Sequence, residues 1–168
     1  MSWIRNWKTD REICKWKHVS RACLDLSRKL DTDHPTHIIG LARGGLVPAT
    51  IIANMLGIRK VYSIGIASYQ MSEGGIEFGG DINVYQQLPV NCSDISNGDN
   101  VLIVDDISDK GNTFNRAESM IQDTFNCKVR TLALYTKPCT AHVPTYFYKQ
   151  VPQDCWVVFP WEKQVAQS

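Results

Sequence analysis

Four consecutive apolar β-formers, Val101-Leu102-Ile103-Val104, run straight into two adjacent acids, Asp105 and Asp106. A short run that is apolar on both faces has the pattern of a buried parallel strand. A polar loop follows, and Phe114, Ala117, Ile121, Thr124 and Phe125 then recur at helical spacing. The same alternation is found on either side. Trp16, Val19, Ala22, Cys23, Leu26 and Leu30 share one helical face, and residues 31–35 break that helix. His37-Ile38-Ile39-Gly40-Leu41-Ala42 reads as a short buried strand and Arg43-Gly44-Gly45 as a turn. Residues 46–56 read as a helix with Pro48 in its first turn, where a missing N–H does little harm. Gly57 stops that helix, and 60–67 is the next strand. Asn97-Gly98-Asp99 is a turn into the strand at Val101, 128–135 is a fourth strand, and 146–148 and 156–159 are short late strands. Strand and helix in repeated alternation predict an α/β fold, a Rossmann-like parallel sheet flanked by helices.

Two segments break the pattern. Residues 68–100 hold Gly74-Gly75 and Gly79-Gly80, with only two short β-like pieces around 76–78 and 82–86. An excursion this long in a compact α/β domain usually has a function or moves. Residues 1–13 are polar apart from Trp3, Ile4 and Trp7 and read as an extension on the surface. The expected organisation is an N-terminal extension (1–15), a single domain (16–162) with a flexible hood loop at about 68–90, and a tail (163–168).

Composition narrows the partners. A chain of 168 residues suits one domain that needs no covalent staples. A formal charge of +1 offers no basic excess for phosphate neutralisation, so no nucleic-acid partner is expected. The six cysteines, Cys14, Cys23, Cys92, Cys127, Cys139 and Cys155, form no C-x-x-C pair and read as reduced thiols. Residues 1–10 lack an apolar signal region and no apolar run approaches bilayer length. A cytoplasmic protein without a membrane partner is expected.

The chemistry is concentrated behind the apolar strand. Its acids suit sugar hydroxyls or a metal, and the loop runs to a helix N-terminus, where free N–H groups and the dipole favour an anion. Ligands of open α/β sheets bind at this edge. Together these features suggest a ribose-phosphate site. Each residue also has a plainer explanation. An acid pair can be a solvated turn, Asp109 an N-cap and Gly111 the relief of a tight turn. Arg43 and Lys137 can be surface cations, and Trp156 plain core.

In full order, residues 101–114 resemble the signature with which type I phosphoribosyltransferases bind phosphoribosyl pyrophosphate (PRPP). Gly40-Leu41-Ala42-Arg43-Gly44-Gly45-Leu46-Val47-Pro48-Ala49 resembles that family's pyrophosphate loop, and Ser68-Tyr69 the pair at the base of its lid. Lys137-Pro138 follows a strand as in the 6-oxopurine branch. Residues 152–162 are similar to the base-pocket segment of xanthine-guanine and archaeal guanine/hypoxanthine enzymes. The likeness covers about 16–162.

The resemblance implies the type I phosphoribosyltransferase fold with a small hood. It implies transfer of the 5-phosphoribosyl group from PRPP to guanine, xanthine or hypoxanthine, with release of pyrophosphate, in purine salvage. Mg²⁺ as cofactor, PRPP and a purine base as partners, and a homodimer belong to the same expectation. By the same likeness Asp105 and Asp106 hold the ribose hydroxyls, with Asp106 the closer to the metal. Ser108, Lys110, Gly111, Asn112 and Thr113 cradle the 5′-phosphate, and Asp109 manages the proton at purine N7. Ala42, Arg43 and Gly44, with a cis peptide near 42–43, face pyrophosphate, and Ser68 and Tyr69 bind substrate from the base of the lid. Lys137 donates to the 6-oxo group, Trp156 stacks on the base, and the Val157 backbone reads its edge.

Three departures bear on that picture. Residues 70–90 contain no Lys or Arg, and Glu73, Glu77 and Asp81 are their charged groups. Lys110 and Asn112 replace the family's common Thr and Gly, and Val158 stands where the bacterial xanthine-guanine enzyme has an acid. Two alternatives remain at this stage: a PRPP-dependent transferase for another base, and a non-catalytic PRPP- or nucleotide-sensing regulator. A phosphorelay receiver is set aside, because its acid pair should follow the first strand.

Overall fold

In the computed structural model, residues 10–72, 75–88 and 94–162 are described, excluding the side chains of 68–72 and 75–81. Eight strands and three helices follow in the order β1 (Arg11–Ile13), α1 (Trp16–Leu30), β2 (His37–Ala42), α2 (Leu46–Leu56), β3 (Val61–Ser72), β4 (Gly75–Gln86), β5 (Asn100–Ser108), α3 (Asn112–Thr124), β6 (Lys128–Thr136), β7 (Tyr146–Gln150) and β8 (Trp156–Val158). Six strands form the central sheet in the order β4-β3-β2-β5-β6-β7. All neighbours are parallel except β3 and β4.

The pleat sends alternate side chains of the buried strands to opposite faces. Leu102 and Val104 of β5 and Leu132 and Leu134 of β6 join Val19, Cys23, Leu26, Ala49 and Ile52 of α1 and α2 in one core cluster. Val101, Ile103 and Ala133 join Phe114, Ala117 and Ile121 of α3 in the other. Helices on both faces are what continuous apolar strands require, as the sequence predicts. Local signals close the helices. The His18 ring accepts from the Lys15 N–H at the start of α1 (3.2 Å), and Gly57, at φ 70°, caps α2 by donating to Ala53 and Asn54.

The structure differs from the sequence expectation in three places. The excursion after residue 67 is not two short β pieces. β3 and β4 form one long antiparallel hairpin, paired from Gly65↔Gln86 to Ser72↔Gly75. β3 pairs with β2 only up to Ala42↔Gly65, so the outer hairpin projects beyond the C-terminal end of β2. The outer ribbon is held by its own β3–β4 ladder rather than by a packed face, so no apolar alternation marks it. Second, the strand does not stop at the apolar run: β5 includes both acids. It continues beside β6 through Asp105↔Ala133 to Ser108↔Thr136, while its pairing with β2 ends at Gly40↔Val104. Third, Arg11–Ile13 is a strand inside the expected N-terminal extension, paired parallel with β8. Among the described residues no helix is long and apolar enough to cross a membrane.

Candidate active site

The β2–α2, β5–α3 and β6–β7 loops and the β3–β4 hairpin meet at the C-terminal edge of the sheet, where α/β proteins bind ligands. Asp105 and Asp106 are successive residues of β5, so the pleat aims them at opposite faces. They stay linked because the Asp106 N–H donates to Asp105 Oδ1 at 2.9 Å. Asp106 lies on the α1/α2 side against the β2–α2 turn: a Cβ on Gly44 would stand 2.1 Å from its Oδ2. Glycine at 44 is what lets the carboxylate and the turn share this space.

Both acids titrate high. Burial, then the neighbouring Asp106 charge, raises Asp105 well above the ordinary carboxylate range. Asp106 is raised to about 6, first by burial and then by the nearby Glu162. The Trp161 indole N–H makes no well-formed hydrogen bond among the described residues, yet it pulls the other way by favouring the ionised carboxylate. Trp161 and Glu162 fall in the 152–162 segment that resembles a base pocket, but no role beside Asp106 was assigned to either from the sequence.

In the β2–α2 turn the Gly45 N–H donates to Leu41 O (2.9 Å) and the Leu46 N–H to Arg43 O (3.2 Å). Among the described residues the N–H groups of Arg43 and Gly44 have no partner, and the Arg43 side chain is exposed without an ion pair. The peptide between Ala42 and Arg43 is cis, as the resemblance implied. The Ala42 carbonyl accepts from the Tyr85 hydroxyl of β4 at 3.1 Å. Ser68 and Tyr69 belong to β3, but their side chains lie outside the described part of the structure.

The β5–α3 loop presents amides and braces them from behind. Asp109, Lys110 and Asn112 are exposed and Thr113 is half-buried at the start of α3. The N-cap is Gly111 at φ 82°, so Asp109 is not the cap. The Ser108 side chain is buried, donating to His142 O at 2.8 Å and pairing with Thr140 Oγ1 at 2.9 Å. Only its backbone faces the loop. The Ala141 N–H donates to Lys110 O at 2.9 Å. His142 stacks on Phe114 at 5.2 Å, with its ring nitrogens on Asn115 and Thr131. The role of His142 as a brace was not legible, since it lies in a loop 28 positions beyond Phe114 and carries no motif.

Lys137 is buried, 5 % exposed, and no surface cation. Its ammonium donates to the carbonyls of Pro152 (3.0 Å), Gln153 (2.9 Å) and Cys155, which accounts for all three N–H donors. The β7–β8 loop is thus gathered on one cation. Beyond it Trp156 is 55 % exposed and is not core. The Trp156 N–H donates to Asp10 O (2.8 Å) and Val158 O accepts from Cys14 (2.9 Å). Alternation along β8 then turns the N–H and C=O of buried Val157 to the opposite edge.

A mostly parallel sheet with an acid pair, two amide-rich turns and a projecting hairpin at one edge defines a class of α/β proteins built to hold a sugar phosphate. Within that class the assignment is direct: the phosphoribosyl transferase domain matches residues 11–168, and the chain belongs to that family. It is 30% identical over 158 residues to the xanthine-guanine phosphoribosyltransferase of Idiomarina loihiensis, covering 93% of this chain and 90% of that one. The crystal structure of a purine phosphoribosyltransferase from Pyrococcus horikoshii superposes with a TM-score of 0.76 at 29% identity, covering 95% of this chain and 98% of that one. The Helicobacter pylori xanthine-guanine-hypoxanthine phosphoribosyltransferase shares the fold, with a TM-score of 0.72 at 20% identity over 92% of this chain and 94% of that one.

Proposed function

We propose that the protein transfers the 5-phosphoribosyl group of PRPP to a 6-oxopurine (guanine, xanthine or hypoxanthine), forming the nucleoside 5′-monophosphate and releasing pyrophosphate. The likeness to a xanthine-guanine phosphoribosyltransferase over nearly the whole chain carries the choice of base. A place in purine salvage, in the cytoplasm and as a homodimer, belongs to the same proposal.

The bond from the ribose anomeric carbon to pyrophosphate breaks, its electron pair leaves with pyrophosphate, and a purine nitrogen bonds to the same carbon. Positive charge builds on the ring, and Asp105 and Asp106 beneath the ribose stabilise it while holding its hydroxyls. Negative charge builds on the leaving group, where the Arg43 guanidinium and the N–H groups of Arg43 and Gly44, unpartnered among the described residues, receive it. Lys110, Gly111, Asn112 and Thr113 hold the 5′-phosphate at the start of α3. Exposed Asp109 takes the proton the base loses. Trp156 stacks on the base, Val157 reads its edge, and Lys137 exchanges one loop carbonyl for the 6-oxo group. The hood, with Ser68 and Tyr69 at its base, closes over PRPP.

The donor set fits Mg²⁺. Two hard carboxylates, both raised by burial, gain from a nearby cation, and Mg²⁺ is commonly held by one or two carboxylates completed by substrate oxygens. Asp106 would hold it, and the ion would supply charge neutralisation for pyrophosphate. Incubating the pure protein with PRPP, Mg²⁺ and each purine should yield nucleotide and pyrophosphate in equal amounts. Absence of turnover with guanine, hypoxanthine and xanthine contradicts the assignment.

A further inference from the structure

The hood poses a physical problem. On the transferase reading it closes over a polyanion, yet residues 70–90 carry three acids and no Lys or Arg. A contact from the root of the hairpin supplies an uncharged alternative. Resting on the transferase reading above, we propose that Tyr85 is a positioning residue of the pyrophosphate subsite, tying the hood to the Arg43–Gly44 turn through the Ala42 carbonyl.

Three adjacent strands build the contact. Gly65 of β3 is the rung partner of Ala42 on one side and of Gln86 on the other. Tyr85 precedes Gln86 on β4, and its ring lies across Gly65 to reach β2. A Cβ on Gly65 would stand 2.3 Å from the ring's Cε2, so glycine is required for the ring to cross. The hydroxyl ends 3.1 Å from Ala42 O, donating to it. The tyrosine is 53 % exposed, so core packing does not account for it.

The consequence follows from peptide planarity. The Ala42 carbonyl and the Arg43 N–H belong to one rigid amide plane, so holding the oxygen fixes the direction of the N–H. That N–H and the next, on Gly44, lack partners among the described residues. The phenol therefore orients leaving-group donors without adding charge. Because Tyr85 sits on the hood strand, displacement of the hairpin root releases the carbonyl, and the turn registers the state of the hood.

The test is Tyr85→Phe, which keeps the ring over Gly65 and removes only the hydroxyl. KM for PRPP, and KM for pyrophosphate in the reverse reaction, should rise about threefold to tenfold, the worth of one hydrogen bond. KM for the base should stay within about twofold. Gly65→Ala, which displaces the ring, should reproduce the same split, and adding it to Tyr85→Phe should add little further. Unchanged KM values for PRPP and pyrophosphate, or equal losses for base and PRPP, overturn the proposal. If the wild type turns over no 6-oxopurine, the transferase reading fails by itself. Calorimetric binding of pyrophosphate with Mg²⁺ then decides on Tyr85. Weaker binding by Tyr85→Phe supports the role, whereas equal affinities, or no wild-type binding, refute it.

Discussion

Asp106 concentrates the electrostatics of the site, with Gly44 at its oxygen, Asp105 beside it and Glu162 nearby. Its pKa of about 6 lies above the unfolded value of 3.8, so the folded state binds the extra proton between those limits. Stability tied to this group is present at low pH, is lost as pH rises through the folded pKa, and the cost is complete above it. Asp106→Asn should therefore melt higher than wild type at pH 8, by about 2–4 °C for each kcal/mol relieved. The gain should vanish near pH 4, while transferase activity falls at least about 100-fold. Equal melting temperatures at pH 8 would show that the carboxylate is not held against its charge. Lys137 makes a different prediction. Lys137→Ala should raise KM for the base by about tenfold or more, with KM for PRPP changed by less than about threefold. Equal loss in both would remove it from the base subsite. The acids were legible because an apolar run points at them. The burial of Lys137 was not, because its partners are carbonyls 15–18 positions away, and carbonyls carry no residue signature.

At the scale of elements, the strands and helices with a packed face were readable, since burial leaves a period in the sequence. α1, β2 and α2 occupy the residues their patterns predict. What pairing alone determines was not readable. The hood hairpin is held by its own ladder, β1 is three residues with one half-buried side chain, and β5 is lengthened by the neighbouring β6. The β5–α3 loop shows how such elements are fixed in place. Gly111 has φ 82°, and a Cβ there would stand 2.3 Å from His142 N. Gly111→Ala should destabilise the protein by about 1–3 kcal/mol and raise KM for PRPP more than KM for the base. Thermal melts and the two KM values check this, and an unchanged KM for PRPP would separate the loop from phosphate binding.

For the whole molecule, two core clusters on either face of one sheet leave the C-terminal edge free for ligand loops. The fold and family were visible in the sequence because the motifs of all these loops occur in order. The hood's coupling to them was not, since it depends on a ring crossing from β4 to β2. PRPP at about 100 times its Kd should stabilise the chain by roughly 2.7 kcal/mol in the presence of Mg²⁺. Chelation should remove most of that shift in a thermal melt. Side-by-side turnover of guanine, xanthine, hypoxanthine and adenine with PRPP and Mg²⁺ tests the central claim most directly. At least one 6-oxopurine should give nucleotide and equimolar pyrophosphate, and adenine should give none. Nucleotide from adenine alone, or from no purine at all, would contradict it.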